Sequence, residues 1–306
     1  MLPLVLSVLA ASALLSDASP LRATNLLRRQ SITQLSTTQI SKFKPFTFFA
    51  SAAYCDPSTT IDWSCGDNCD ANSQFQPTAS GGDGKATQFW YVGFDPNSNA
   101  VVVAHQGTDP KSIISLSVDA DFTLQNLDPS LFPGIDDSIK VHNGFADSHA
   151  RAAEDVLSAV QDTLSAHSRA SVTMVGHSLG GALALLDSVF LPLHLPEGTQ
   201  FKTVTYGMPR VGNQEFADYV DENVTSLNGG TGLTHINNKE DVVPIVPGRF
   251  LGFVHPSGEI HIQDDDSWDS CSGQDNDSDN CSTGDVKSVL TGDVSEHDGP
   301  YDSYSG

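Results

Sequence analysis

The chain has 306 residues, 39% of them hydrophobic and 17% charged, which fits a globular protein with a sizeable core and excludes a disordered chain. Its 38 acidic residues against 15 basic ones give a formal charge of −23, so phosphate backbones and anionic membranes repel it and nucleic acid is excluded as a partner. No apolar run reaches the roughly 18 residues that a transmembrane helix needs.

In chain order, Pro3 to Leu15 is a short apolar run followed by small residues around Ala18 and Ser19, the pattern of a secretory signal over residues 1–19. Arg28-Arg29 offers a dibasic trimming site, so residues 20–29 read as a pro-segment and residues 30–306 as a single domain, without an obvious linker. Five cysteines suit an oxidising compartment. Cys65 with Cys69, and Cys271 with Cys281, are spaced for two local disulfides, which leaves Cys55 unpaired. Asn223-Val-Thr225 and Asn276-Asp-Ser278 are acceptor triplets for N-glycans, and Asn280-Cys-Ser282 is a third that a bridged Cys281 would compromise.

QFWYVGF (88–94) and AVVVA (100–104) are aromatic and β-branched runs around Asp95-Pro96-Asn97, which predicts a hairpin. Ala146, Ala150, Ala153, Val156, Leu157, Val160 and Leu164 recur at helical spacing and predict one helix over 144–167. SVTMV (171–175) predicts a buried strand, 179–190 a second helix, and 201–206, 233–237 and 259–262 further strands. Strands alternating with helices of this length predict an α/β fold with a mostly parallel central sheet covered on both faces. Asp275 to Asn280 reads as a solvated acidic loop; it resembles the opening of a calcium loop, but its twelfth position is Val286 rather than Glu.

The strongest chemical signal is Gly176-His-Ser178-Leu-Gly180-Gly181, a G-x-S-x-G pentapeptide entered from an apolar strand and left by an apolar helix. A nucleophile elbow requires that setting, with Ser178 at a strained turn and glycines on either side of it. The amide of Leu179 at the helix N-terminus is a candidate oxyanion donor. A serine needs an imidazole to take its proton and a carboxylate to orient that imidazole. Asp241, after the strand at 233–237, is the candidate acid; Asp218 and Asp221 read as solvated helix charges. Three histidines follow it. His255 and His261 flank the strand at 259–262, where structural roles are commoner, whereas His297 lies in a polar loop and is favoured by its position. His177 is expected to pack or hydrogen-bond locally.

These residues resemble the secreted fungal class 3 lipases, a family of triacylglycerol lipases and feruloyl esterases. The resemblance runs from about Phe46 to Gly306 and rests on GHSLGG, Val141-His-Asn-Gly-Phe145, Tyr206-Gly-Met-Pro-Arg-Val-Gly-Asn213, Asn238-Lys-Glu-Asp-Val-Val-Pro244 and His297. It implies an α/β-hydrolase fold, a Ser178–His297–Asp241 triad, and Thr108 in His105-Gln-Gly-Thr108 as the first oxyanion donor. It places a lid at about 110–119, where Ile113, Ile114, Leu116 and Val118 give an apolar face suited to an oil–water interface. Relatives commonly join the cysteine near the N-terminus to one near the chain's end; here nothing after Cys281 can serve Cys55. Together with the signal segment and the cysteines, this gives the expectation of a secreted, monomeric triacylglycerol lipase that meets acylglycerols at an oil–water interface; the chemistry requires no cofactor or metal. A soluble-ester esterase and an inactive lipase-fold binding protein are the alternatives.

Overall fold

The computed structural model describes residues 31–109, 111–113 and 123–301. The expected signal and pro-segment lie outside the described residues, as do Ile114, Leu116 and Val118 of the expected lid.

The strands are β1 (Ile32–Gln34), β2 (Gln76–Gly81), β3 (Trp90–Asp95), β4 (Ala100–His105), β5 (Leu124–Asn126), β6 (Lys140–His142), β7 (Ser171–His177), β8 (Phe201–Tyr206), β9 (Leu233–Asn238), β10 (Glu259–Ile262) and β11 (Trp268–Cys271). Among the described residues nine of them form one sheet in the order β1-β11-β10-β9-β8-β7-β4-β3-β2, and β5 pairs with β6 separately. The centre, β4-β7-β8-β9-β10, is parallel. Both margins are antiparallel, through β3 and β2 on one side and β11 and β1 on the other. The expected hairpin is present: the Asp95 carboxylate accepts from the Asn97 and Ser98 amides and the Ser98 hydroxyl, which tightens the turn between β3 and β4.

Strand alternation divides the core between the two faces of this sheet. Val101, Val103, Val172 and Met174 point to one side, against α3 (Ala153–Ala166) and α4 (Leu179–His194), where Val156, Val160, Leu183 and Leu186 are buried. Val102, Ala104, Val175 and Val204 point to the other, with Phe49 from α1 (Lys44–Ala52), Tyr91 and Trp268. With both faces covered, the central strands read as continuous apolar runs. The two disulfides form as the spacing predicts, Cys65–Cys69 and Cys271–Cys281, and Cys55 is a free, half-buried thiol whose pKa burial raises.

One helix differs from its prediction. Residues 144–167 are two helices, α2 (Asn143–Ala150) and α3, separated at Arg151-Ala152. The break lets His149 turn inward onto Asp187 while Arg151 reaches the Ala86 carbonyl. Ala150 falls on the exposed side and Ala153 in the core, although their spacing in the sequence fits one continuous face, so periodicity carries no mark of the interruption.

Candidate active site

The carboxyl ends of adjacent parallel strands are where open α/β sheets place their sites. In this sheet β4, β7, β8 and β9 end at His105, His177, Tyr206 and Asn238. The residues that follow them are Thr108, Ser178, Gly207 and Asp241.

Ser178 caps the N-terminus of α4 with φ 59° and ψ −129°, a strained conformation for a residue with a side chain. Its amide donates to the Tyr206 carbonyl, and its own carbonyl starts the helix by accepting from Gly181 and Ala182. The turn is tight enough that a Cβ on Gly176 would collide with the Gly180 carbonyl, and one on Gly180 with the His105 carbonyl. This is the strand–turn–helix elbow that the pentapeptide predicts. Leu179 holds the first helical position, where an amide has no acceptor within the helix. A Cβ on Gly107 would stand 3.0 Å from the Ser178 Cβ, so the end of the β4 segment runs directly beside the serine and leads into half-buried Thr108.

Asp241 turns back under β9, its amide donating to the Asn238 carbonyl. Its Oδ1 accepts from the Val243 amide at 2.8 Å and its Oδ2 pairs with His297 Nδ1 at 2.8 Å, both side chains being fully buried. Burial pushes the Asp241 carboxyl above the usual carboxylate range, against the opposing pull of His297. His297 sits on the 3₁₀ turn Val294–Asp298, which the Asn238 side chain ties to β9 by donating to the Glu296 carbonyl. Its ring lies over Gly207, where a Cβ would approach Cε1 and Nδ1 to 2.8 and 2.9 Å; a residue with φ 52° and no side chain is required there. Ser178 Oγ and His297 Nε2 are both buried, and neither has a hydrogen-bond partner among the described residues. A buried hydroxyl and a buried ring nitrogen without partners carry a free-energy cost, which is tolerated at sites that act on a third molecule.

The two other downstream histidines are held structurally. His255 Nε2 donates to the Pro244 carbonyl at 2.8 Å, with burial lowering its pKa to about 3, and His261 bonds to the carbonyls of Asn280 and Lys239. Asp221 is not merely solvated, since it accepts from the Ser257 amide and hydroxyl.

Two sequence expectations need correction. In the acidic loop Asp277, Asp279 and Asn280 are exposed as expected, but Asp275 is not: it is 6% exposed and pairs with buried Arg210, while also accepting from the His255 amide and the Thr283 hydroxyl. With its oxygens engaged by donors, it is not free to hold calcium. Asn276 is fully buried, its amide nitrogen donating to the Ser272 carbonyl and its oxygen accepting from the Ser278 amide, so a glycan there would need the loop to open. Asn223 is exposed. Of the lid residues, Ile113 is described, and it is 3% exposed and packed into the core at a helical turn over 111–113.

Sequence reasoning missed three features around this centre. Gly207, as above, makes room for the imidazole. His177 bonds not to its neighbours but to the carbonyl of His297, 120 residues away. Behind the elbow, Asp187 is bonded by both His105 and His149. An aspartate in the apolar helix LGGALALLDSVF was the available signal, because a charge in such a setting needs a buried partner.

The sequence model of the class 3 lipases matches residues 102–251. A secreted mono- and diacylglycerol lipase of Malassezia globosa is 30% identical over 264 residues, covering 81% of this chain and 79% of its own. A second from the same organism is 34% identical over 205 residues, covering 63% of this chain and 66% of its own. One from Malassezia restricta is 32% identical over 60% of this chain and 57% of its own, so the chain spans somewhat under two thirds of some of these curated relatives. Among solved structures, lipase II of Rhizopus niveus superposes with a TM-score of 0.72 at 26% identity, covering 87% of this chain and 96% of that one. A Yarrowia lipolytica lipase gives 0.71 at 25% identity, covering 85% and 91%. The fold is that of an α/β-hydrolase. The chain belongs to the class 3 lipase family.

Proposed function

We propose that this protein is a secreted serine hydrolase that cleaves the carboxylic esters of acylglycerols, with Ser178, His297 and Asp241 as its triad. The observation that carries the reading is the pair of unpartnered buried atoms, Ser178 Oγ and His297 Nε2, beside an imidazole already oriented through Nδ1 by Asp241.

In this mechanism His297 Nε2 takes the Ser178 proton as Oγ attacks the ester carbonyl carbon. Asp241 fixes the tautomer with the proton on Nδ1 and stabilises the imidazolium. The tetrahedral oxyanion is met by the amide and hydroxyl of Thr108 and the amide of Leu179. The carbon–oxygen bond to the glycerol side breaks, and the leaving alkoxide takes the proton from Nε2. Water then repeats the sequence on the acyl-enzyme, releasing the fatty acid and restoring Ser178.

Relatives named as secreted, together with two disulfides within the fold, support an extracellular site of action. The strong negative charge favours neutral over anionic lipid surfaces. The apolar segment at 110–119 is proposed as a lid that opens at such a surface, and Asn223 as a glycan site. Triacylglycerol is the substrate expected from sequence, whereas the curated relatives are named for mono- and diacylglycerols. Turnover on tri-, di- and monoacylglycerol emulsions across each solubility limit, with Ser178→Ala as the blank, tests the whole reading. A loss of at least a thousandfold in the variant is expected; equal rates for variant and wild type would overturn the triad. A rate that jumps at the limit supports an interface-opened lid, and smooth saturation refutes it.

A further inference from the structure

His297 is delivered by a short turn near the end of the chain, and loops of this kind are the mobile parts of a scaffold unless something fixes them. Asp241 orients the ring, but the backbone that carries the ring needs its own anchor. The His297 carbonyl receives two hydrogen bonds, from the Tyr301 hydroxyl at 2.9 Å and from His177 Nε2 at 2.8 Å. A carbonyl only accepts, so Nε2 of His177 carries the proton and Nδ1 carries the lone pair. The Tyr54 hydroxyl lies 2.7 Å from that Nδ1 and donates to it. Burial, together with His297 nearby, lowers the His177 pKa to about 3, which keeps the ring neutral and the tautomer meaningful. Tyr54 is 39% exposed as a residue, but its hydroxyl is held between His177 and the Gly107 backbone; desolvation there and the charge of Asp298 raise it, so it stays protonated as a donor.

Tyr54 thus stands at the junction of three segments. It touches the stretch that leads to Thr108, it bonds the residue preceding Ser178, and through His177 it reaches the backbone of His297. It comes from just beyond the C-terminus of α1, outside the residues 102–251 that carry the family match. Its ring faces a cavity of about 290 Å³ shared with Ser51, Asn68, Asp298 and Tyr301.

We propose that Tyr54 is a positioning residue for ester hydrolysis: by selecting the His177 tautomer that bonds the His297 carbonyl, it holds His297 in register with Ser178. The inference rests on the triad reading given above. Without the hydroxyl, His177 can place its proton on Nδ1, and Nε2 then faces the carbonyl with a lone pair. In that tautomer the bond is lost, and the packing has changed only by one oxygen atom. Displacement of a catalytic group by about 1 Å can cost on the order of a hundredfold in rate.

The test is Tyr54→Phe, measured as kcat and KM on a soluble short-chain p-nitrophenyl ester, with thermal midpoints taken in parallel. Ester hydrolysis by the wild type and its loss in Ser178→Ala must be seen first, so that failure of the triad reading is recognised separately. The expected result is a kcat lower by about 10- to 100-fold, with KM within twofold and the midpoint nearly unchanged. His177→Gln supplies the rescue, since an amide can donate to the His297 carbonyl and accept from Tyr54. It should retain clearly more kcat than His177→Leu. A Tyr54→Phe kcat within twofold of wild type overturns the proposal. So does a fall in kcat matched by a collapse of the thermal midpoint, or equal activity in the two His177 variants.

Discussion

Two buried aspartate–histidine groups lie on either side of the elbow, and they are built in opposite senses. Asp241 gives one oxygen to His297 Nδ1 and the other to the Val243 amide, and burial leaves its carboxyl raised. Asp187 gives each oxygen to a separate imidazole, His105 Nε2 at 2.6 Å and His149 Nε2 at 2.9 Å. Burial alone would raise that carboxyl too, but the two histidines outweigh it and bring it down to about 2. A carboxylate flanked by two imidazoles is stabilised in its charged form and ties β4, α2 and α4 together. Each group also leaves a far imidazole nitrogen without a partner among the described residues, His149 Nδ1 in one and His297 Nε2 in the other, but the second shares its end of the sheet with an unpartnered hydroxyl, that of Ser178. The residue types are shared; the number of imidazoles on the carboxylate, one against two, separates a proposed catalytic pair from a structural one.

Substituting each aspartate by asparagine should separate the two roles. Asp241→Asn keeps the shape but lets His297 adopt the wrong tautomer, and kcat is expected to fall by about 10⁴. Because the Asp241 carboxyl is raised in the folded protein, its charged form opposes folding at neutral pH. Its stability in urea should therefore be unchanged or higher than that of the wild type. A large loss of stability with retained activity would reverse the assignment. Asp187→Asn should do the opposite, lowering stability by about 3 kcal/mol, because an interaction network buried on all sides loses its charge. Its kcat, measured well below its melting range, should stay within about tenfold of wild type. A fall comparable to that of Asp241→Asn would place Asp187 in the chemistry.

How much of this was legible in the sequence follows from the range of the interactions. The elbow was readable because strand, turn, glycines and helix are contiguous, and the central strands because both their faces are apolar. Asp241 and His297 were readable as candidates from chain order, and the family resemblance chose among the histidines. By contrast, β1, β2, β5, β6 and β11 lie at sheet margins or in a short side ribbon, where polar and mixed faces leave little pattern. Arg210–Asp275 joins residues 65 apart, so nothing local separates buried Asp275 from the solvated acidic residues that follow it. His177 is expected to pack or bond locally, whereas its Nε2 partner is a backbone carbonyl far along the chain. Backbone acceptors leave no residue-type signature.

The opposite directions of the two carboxyl shifts also predict opposite responses to acid. Asp187 has a folded-state value below its unfolded one. Its contribution is complete above about pH 4 and disappears as the pH falls towards 2, amounting to roughly 2 to 3 kcal/mol. Asp241, with a raised value, has its unfavourable contribution relieved as the pH falls through that value. Urea midpoints between pH 5 and pH 2.5 should show a steeper acid loss in wild type than in Asp187→Asn, and the loss in Asp241→Asn should be at least as steep as in wild type. Parallel curves for wild type and Asp187→Asn would remove the two-imidazole account of Asp187.

The smallest expected effect is the coupling between the two groups. They meet through the elbow, since the His105 carbonyl lies where a Cβ on Gly180 would fall and Ser178 begins the same helix that carries Asp187. That contact is backbone against backbone, and it does not change when a carboxylate becomes an amide. The stability effects of Asp187→Asn and Asp241→Asn should therefore add in the double variant to within about 0.5 kcal/mol. A discrepancy of about 1 kcal/mol or more would mean that charge on one aspartate is felt at the other through the β4–α4 packing. The structural cluster would then be setting the position of Ser178 as well as the stability of the fold.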